Sequence, residues 1–266
     1  MIKIEDRIQL MDVTLFDGIE SQTSTEDRRS LLLIQKALRD RAEYVYLEIG
    51  SHLGGSIQTH FADPKCKLIY SIDNRPPSQP DERGLRYPYP ENSTRRMITN
   101  LESAFPEVPT KKLKTFDCDT SEMAAEEIVE RPDLCFIDGE HTNEAVYCDF
   151  QFCLKMCQKD AVIVFHDSGY IYRGISKIKK SLWGEGAIFQ GIMLSGTVYV
   201  ILLNNAIGLF GKSLETFRQD ESAYWRLARR DLWKERIKNQ IRAIPWLYRT
   251  FRILQNRSTT NAVLKK

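Results

Sequence analysis

YVYLEIGSHLGGSI, residues 44–57, has the pattern of a buried strand that runs into a glycine turn and then a helix. The first six residues are mostly aromatic, β-branched or aliphatic, which is typical of a strand inside a sheet. Gly50 allows the backbone to turn sharply, and Gly54 allows it to come close to a ligand. In open α/β sheets, ligands bind beyond the carboxyl ends of the strands, at such turns. The stretch therefore predicts a strand–loop–helix unit with a binding site at its glycine loop.

Further strands and helices alternate around this unit. Cap-type residues followed by helical spacing predict a helix over residues 25–40, and a short helix is expected over 54–61. Other strands are predicted at residues 67–73, 113–119, 133–138 and 161–167, with helices between them, one of which covers TSEMAAEEIVE, residues 120–130. The last two runs, AIFQGIML and TVYVILL, flank a turn at Ser195 and Gly196 and are expected to pair as an antiparallel hairpin. This order predicts an α/β, Rossmann-like, doubly wound and mostly parallel sheet of seven strands.

A Pro-rich insertion, residues 74–93, interrupts the alternation. Its five prolines exclude a helix and a central strand. Loops of this length in compact domains are often functional lids. We hypothesise that the insertion closes over an acceptor and contacts it through arginine and tyrosine side chains, namely Arg75, Arg83, Arg86, Tyr87 and Tyr89.

Charge is unevenly distributed along the chain. Residues 211–266 contain 14 Lys or Arg and 5 Asp or Glu, whereas residues 1–210 contain 24 and 31. We therefore predict a domain over residues 1–210 and a basic, amphipathic helical extension over residues 211–266, broken or kinked at Pro245. The extension also holds Trp225, Trp233 and Trp246, which suits peripheral contact with an anionic membrane or a homo-oligomer contact. Because the body is acidic overall, nucleic acid is not expected as a partner.

The cysteines and the N-terminus bear on location. None of the six cysteines forms a CxxC pair, and several lie in apolar runs, where they are expected to be buried and to bind no zinc. The first residues, MIKIEDRIQL, have no apolar signal region, and no run approaches the roughly 18 apolar residues that span a bilayer. These features predict a cytoplasmic protein.

Acidic residues follow the first three predicted strands of the alternating core. Glu48 stands at the end of the first, Asp73 at the end of the second, and Asp117 or Asp119 at the end of the third. Asp73 follows the glycine loop by roughly twenty residues, the spacing at which an acid takes both hydroxyls of a ribose. An acid after the third strand would lie near an adenine amino group. The pattern favours a cofactor that contains adenosine.

LEIGSHLGGSI, SIDNR, FDCDTSEM and FIDGEHTNEAVYCD resemble the class I S-adenosylmethionine-dependent methyltransferases. They are most similar to a bacterial subfamily with a DGxH motif after the fourth strand and an HD pair after the fifth. The resemblance covers about residues 20–205. It implies that the glycine loop holds the methionine part of S-adenosylmethionine, that Asp73 binds the ribose, and that the segment after the third strand flanks the adenine. The cofactor residues that it implies are Glu48, Gly50, Ser51, Gly54, Gly55, Asp73, Asp119, Thr120 and Ser121.

The DGEH and FHDS motifs place Asp138, His141, His166 and Asp167 just after neighbouring strands. Two carboxylates and a histidine suit a divalent ion, which could lower the pKa of a substrate hydroxyl, and a histidine could take its proton. O-methyltransferases that act on sugars of macrolide antibiotics are similar at these positions. That resemblance implies that His141 is the base, that Asp138 acts beside it, and that Asp138 and Asp167 hold a metal, Mg²⁺ or Mn²⁺. This chain departs from the pattern at His166, but imidazole can also coordinate a metal, so His166 completes the predicted set. The pattern has an acid at position 166, and Mg²⁺ prefers oxygen ligands.

The prediction for the whole chain is methyl transfer from S-adenosylmethionine to an oxygen of a small molecule, such as a sugar, a glycan precursor or a natural-product hydroxyl. An NAD-dependent oxidoreductase is the first alternative, disfavoured by the GxxxGG spacing and the terminal hairpin. A non-catalytic Rossmann-like binding module, tethered by its basic extension, is the second. Asp149, two helical turns after His141, is expected at the surface.

Overall fold

The computed structural model describes residues 3–243. The predicted break at Pro245, and Trp246 with the rest of the chain, lie outside the described residues. No helix between residues 3 and 243 has the length and apolar character needed to cross a membrane.

The described chain alternates strands and helices as the sequence predicts. Its strands are β1 (Tyr44–Ile49), β2 (Cys66–Ile72), β3 (Ser78–Asp81), β4 (Leu85–Pro88), β5 (Leu113–Phe116), β6 (Leu134–Ile137), β7 (Val162–Phe165), β8 (Phe189–Met193) and β9 (Tyr199–Leu203). Its α-helices are α1 (Ile4–Gln9), α2 (Thr25–Leu38), α3 (Ile57–Ala62), α4 (Thr94–Ala104), α5 (Asn143–Met156), α6 (Tyr172–Gly184), α7 (Ala206–Leu214) and α8 (Glu221–Ala243).

Seven strands form one sheet in the order β5-β2-β1-β6-β7-β9-β8. β1 pairs in parallel with β2 on one side and with β6 on the other, so the strand order reverses between β1 and β6. β9 is antiparallel to both β7 and β8, which confirms the predicted terminal hairpin. The Rossmann-like, mostly parallel sheet is therefore confirmed, and the crevice for a ligand lies beyond the carboxyl ends of β1 and β6.

The sheet is buried on both faces because helices cover each side. Alternate residues of β1 show the arrangement: Tyr44 and Tyr46 belong to one apolar cluster, and Val45, Leu47 and Ile49 belong to the other. All six residues of β1 are buried. The central strand is thus held rigidly, and the loop that follows it starts from a fixed point.

Two segments differ from the prediction. Residues 120–130 do not form one helix, but two short 3₁₀ helices, Thr120–Glu122 and Ala125–Glu127. Each is closed by a capping contact from the glutamate at its end, and the segment buries too few apolar side chains to extend the helix. The insertion at residues 74–93 is not only loop, because β3 and β4 pair as a separate antiparallel hairpin that turns at Gly84.

The basic extension is not separate from the domain at residue 210. That position falls inside α7, whose Phe210 and Leu214 are buried in the core. α8 does not segregate its apolar side chains onto one face as an amphipathic helix would, since Leu232 is buried while Leu227 and Trp233 are exposed.

Candidate active site

The glycine loop after β1 packs directly on the loop after β6. Gly50 has φ of +87°, and a Cβ there would lie 2.3 Å from the main-chain oxygen of Asp138. The amide of Asp138 also donates to the carbonyl of Ile49 at 2.9 Å. Only glycine fits at position 50 without moving the neighbouring loop. The glycine loop after β1 and the DGEH motif after β6 therefore form one site.

Gly50 borders two cavities at this edge of the sheet. The smaller, about 80 Å³, lies toward β2 and β5, and the larger, about 390 Å³, lies toward β7 and the hairpin. The smaller cavity is bordered by Asp73, whose carboxylate accepts the amides of His52 and Arg75, both at 2.8 Å. Those bonds fix the carboxylate at the end of β2.

The predicted cofactor residues divide into two groups. Six of them border the cavities: Gly50, Ser51 and Gly55 for the larger, and Gly50, Asp73, Asp119 and Thr120 for the smaller. The structure does not bring Glu48, Gly54 and Ser121 to either cavity. Gly54 faces the side chain of Met97 on α4, so its close approach is to protein.

Glu48 is fully buried beneath the glycine loop. Its carboxylate accepts the hydroxyl of Tyr46 at 2.5 Å and that of Ser56. Burial raises the pKa of Glu48 to about 8. Glu48 and Asp73 both stand at the end of a predicted strand. Their spacing in the sequence therefore cannot show that Asp73 borders a cavity and that Glu48 does not.

Asp149 borders the site, and the prediction that it lies at the surface is wrong. It is buried, borders the smaller cavity and accepts the hydroxyl of Thr120 at 2.8 Å. Burial raises its pKa to about 7. Helical spacing from His141 gives no signal for it, because α5 begins only at Asn143 and the two residues border different cavities.

The two predicted catalytic motifs converge at the larger cavity. Nδ1 of His166 lies 3.0 Å from Oδ1 of Asp138, and Nε2 of His141 lies 3.4 Å from the same oxygen. Oδ2 of Asp167 is 3.6 Å from Nε2 of His141. The four residues therefore form one cluster of alternating charge.

Two further carboxylates, both missed from the sequence, extend this cluster. Oδ2 of Asp81 on β3 lies 3.7 Å from Nδ1 of His141, and Oδ2 of Asp27 on α2 lies 3.5 Å from Nε2 of His166. Both come from elements distant in sequence, so no local motif marks them.

The carboxylates control the protonation of His141. Burial would lower its pKa, but Asp138, Asp81 and Asp167 outweigh burial and raise the pKa to about 10. In turn, His166 and His141 lower the pKa of Asp138 to about 2 against the opposing effect of burial. In the protein without ligands, His141 is an imidazolium at neutral pH.

The residues predicted to hold a divalent metal contact one another in the structure. Nδ1 of His166 lies 3.0 Å from Asp138, and Nε2 lies 3.5 Å from Asp27 without a hydrogen-bond partner among the described residues. Within residues 3–243, no group of three or more His, Cys, Asp or Glu side chains has the geometry of a metal site. The predicted set Asp138, His166 and Asp167 is arranged as an ion-pair cluster.

The hairpin covers the larger cavity from one side. Arg83, Tyr87 and Tyr89 border it, together with Tyr170 after β7, and the guanidinium of Arg83 lies 4.4 Å from the ring centre of Tyr170. Arg75 and Arg86 do not reach the cavity: Arg75 is held beside Asp73, and Arg86 donates to the carbonyl of Ser78.

Comparison with known proteins agrees with this architecture. The family model described as a methyltransferase domain matches residues 47–168. No curated protein matches the chain by sequence.

Solved structures of methyltransferases are similar to this chain at low sequence identity. A calicheamicin methyltransferase is 15% identical with a TM-score of 0.51, covering 74% of this chain and 91% of that chain. An O-methyltransferase from Bacillus cereus, solved with S-adenosylhomocysteine, is 13% identical with a TM-score of 0.47, covering 76% and 90%. An O-methyltransferase of tomaymycin synthesis from Streptomyces achromogenes, solved with S-adenosylmethionine, is 14% identical with a TM-score of 0.46, covering 77% and 91%.

The family match spans the glycine loop, the strand-end acids and the DGEH and FHDS motifs, which the structure gathers at one edge of the sheet. Over residues 47–168 the chain is therefore similar to methyltransferase domains.

Proposed function

We propose that the chain transfers a methyl group from S-adenosylmethionine to a hydroxyl oxygen of a small molecule, with a sugar or natural-product hydroxyl as the acceptor class. The observation that carries the proposal is the position of Gly50, which borders both cavities. Adenosine in the smaller cavity, with its ribose on Asp73, would direct the methionine part past Gly50 and Ser51. The methyl sulfonium would then face the cavity that holds His141.

His141 is the proposed base. The hydroxyl must lose its proton as its oxygen attacks the methyl carbon and the sulfur leaves with the electron pair of the broken bond. The imidazolium is the resting form, and it can act as a base only after it has released its own proton to solvent, which becomes easier when the pKa of His141 falls. A sulfonium cation beside it disfavours the imidazolium, so cofactor binding shifts His141 toward its neutral form. Asp138 and Asp167 then stabilise the imidazolium that forms on proton transfer.

Metal assistance by Mg²⁺ or Mn²⁺ is the second candidate. The observation in its favour is that Asp138 and Asp167 each place an oxygen within 4 Å of the same nitrogen of His141. Activity retained in EDTA would exclude it. Activity abolished by EDTA, and restored by Mg²⁺ or Mn²⁺ in the parent but not in Asp167→Asn, would establish it.

Calorimetry tests the cofactor. We expect S-adenosylmethionine and S-adenosylhomocysteine to bind at micromolar concentration and NAD not to bind. Asp73→Ala should weaken binding at least about tenfold, since it removes a carboxylate hydrogen-bonded to the ligand. Asp117→Ala is the matched control, because Asp117 also follows a strand but borders neither cavity. Binding of NAD, or equal affinity in the two variants, would contradict the assignment of the smaller cavity.

The remaining predictions are part of the same proposal. We propose a cytoplasmic location, in which the six cysteines remain thiols. The role of the basic extension, residues 211–266, in a membrane or oligomer contact also stays a prediction.

A further inference from the structure

A basic groove runs between α6 and α8, outside the proposed active site. It consists of two adjoining cavities of about 480 and 400 Å³ that share Tyr172, Arg173 and Arg229. No Asp or Glu of the described chain borders either cavity. The basic residues that border them are Arg173, Lys177, Lys180, Arg226, Arg229, Arg230 and Arg236.

Most of this charge is uncompensated. Arg230 pairs with Asp231, and Arg236 pairs with Glu82. The other five basic residues of the groove have no carboxylate within ion-pair distance among residues 3–243. Residues 244–266 contain no Asp or Glu, so the rest of the chain cannot neutralise them either. Keeping so many like charges together costs free energy unless an anion binds between them.

Residues that are close in sequence border both the groove and the cavity of about 390 Å³ that holds His141, which we call the catalytic cavity. Tyr170 borders the catalytic cavity, and Tyr172, two residues on, borders the groove. Arg236 of α8 borders the groove and pairs with Glu82 of the hairpin, whose next residue, Arg83, borders the catalytic cavity. A molecule with its hydroxyl at His141 could therefore extend across Tyr170 into the groove.

We infer that this groove is a phosphate subsite, and that the methyl acceptor carries a phosphate or diphosphate. Guanidinium groups bind phosphate oxygens in pairs, and lysine adds point charge, so the side chains of Arg173, Arg229 and Lys180 suit such a group. Tyr172 and Trp225 border the same groove and offer ring surface to whatever the phosphate carries. The inference rests on the proposed function in one respect. The groove would bind phosphate in either case, but the bound molecule is a methyl acceptor only if the chain is a methyltransferase.

The test measures binding of inorganic pyrophosphate and of uridine diphosphate to the full chain by calorimetry, without S-adenosylmethionine. We expect binding that weakens as salt rises and that falls about tenfold in the double variant Arg229→Gln/Lys180→Gln. The matched control is Lys234→Gln/Lys238→Gln, which removes the same charge from α8 residues that border neither cavity. Thermal unfolding of both variants checks that each is folded.

Equal affinity in the two double variants would overturn the inference, because the ions would then bind only through net charge. Absence of pyrophosphate and uridine diphosphate binding, with co-sedimentation of the chain on phosphatidylglycerol vesicles, would also overturn it and assign the groove to a membrane surface. None of these measurements uses S-adenosylmethionine. A failure of the methyltransferase proposal would therefore appear separately, as absence of S-adenosylmethionine binding in the calorimetry described under the proposed function.

Discussion

At the scale of single residues, the site is governed by how burial and neighbouring charge set protonation. His141 and Glu48 show opposite cases of one rule: a charged form is stabilised by opposite charges and penalised by an apolar surrounding. His141 stays charged because three carboxylates face it, whereas Glu48 stays neutral because its burial outweighs the two hydroxyls that donate to it. Each has a measurable consequence.

The pH dependence of activity should report His141. A base must be neutral, and the free protein holds His141 protonated below a pKa of about 10. The value of kcat/KM should therefore rise with pH toward about 10, and kcat should rise at lower pH because the sulfonium lowers the pKa in the complex. His141→Gln should lose both rising limbs and at least about 100-fold in rate. A rising limb of kcat/KM near pH 6.5 would show that the carboxylates do not control this histidine.

Glu48 should make folding stability fall as pH rises. Its ordinary pKa is 4.5 and its folded pKa is about 8, so between these values the folded protein holds a proton that the unfolded chain has lost. Raising pH from 4.5 through 8 therefore removes stability. Relative to the parent protein, Glu48→Gln should gain at least about 2 °C in Tm between pH 5 and pH 9. Glu102→Gln, on the exposed face of α4, is the control, and an equal gain in both variants would refute the assignment.

At the scale of elements, the hairpin β3–β4 is held between two helices. The amide of Asn143, at the start of α5, donates to Glu82 at 3.0 Å, and Arg236 of α8 pairs with the same carboxylate. Asn239 of α8 donates to the carbonyl of Arg83 at 3.0 Å. α8 therefore fixes the hairpin that presents Arg83 to the larger cavity.

Loosening α8 should loosen the hairpin. Arg236→Gln removes a charged contact that is only partly exposed, with an expected cost of about 1 kcal/mol. Hydrogen–deuterium exchange of the amides in residues 78–88 should become about fivefold faster, while exchange in β1 and β6 stays unchanged. Lys234→Gln, on the same helix, should change neither segment. Unchanged exchange in residues 78–88 of the Arg236 variant would show that α8 does not restrain the hairpin.

At the scale of the whole molecule, the division between domain and extension depends on α7. The predicted boundary at residue 210 would cut this helix and remove Leu214 from the core. We expect a chain that ends at Gln219 to keep one cooperative unfolding transition, with a lower Tm because α8 is gone. A chain that ends at Phe210 should aggregate or unfold without cooperativity, since losing a buried leucine alone costs about 2–5 kcal/mol.

Differential scanning calorimetry of the two truncated chains, with circular dichroism to check their helix content, decides between the boundaries. Equal Tm and equal cooperativity would show that residues 1–210 are a complete domain, as the charge distribution predicts.

The sequence by itself determined the α/β architecture, the terminal hairpin and the loops that meet at Gly50. These features follow from local patterns: apolar runs that end in glycine, alternation of strand and helix, and acids placed at strand ends. Parallel strands then bring every such end to one edge of the sheet.

Only the tertiary structure decided which of those residues face a cavity and how they are charged. Glu48 and Asp73 look alike in sequence, yet one is buried beneath the loop and the other borders the crevice. Asp27 pairs with His166 and Asp81 with His141, in each case between residues far apart in the sequence. α8, near the end of the described chain, contacts the β3–β4 hairpin in the same way. Burial and electrostatic pairing depend on what packs around a group, and that surrounding is supplied by residues distant in sequence.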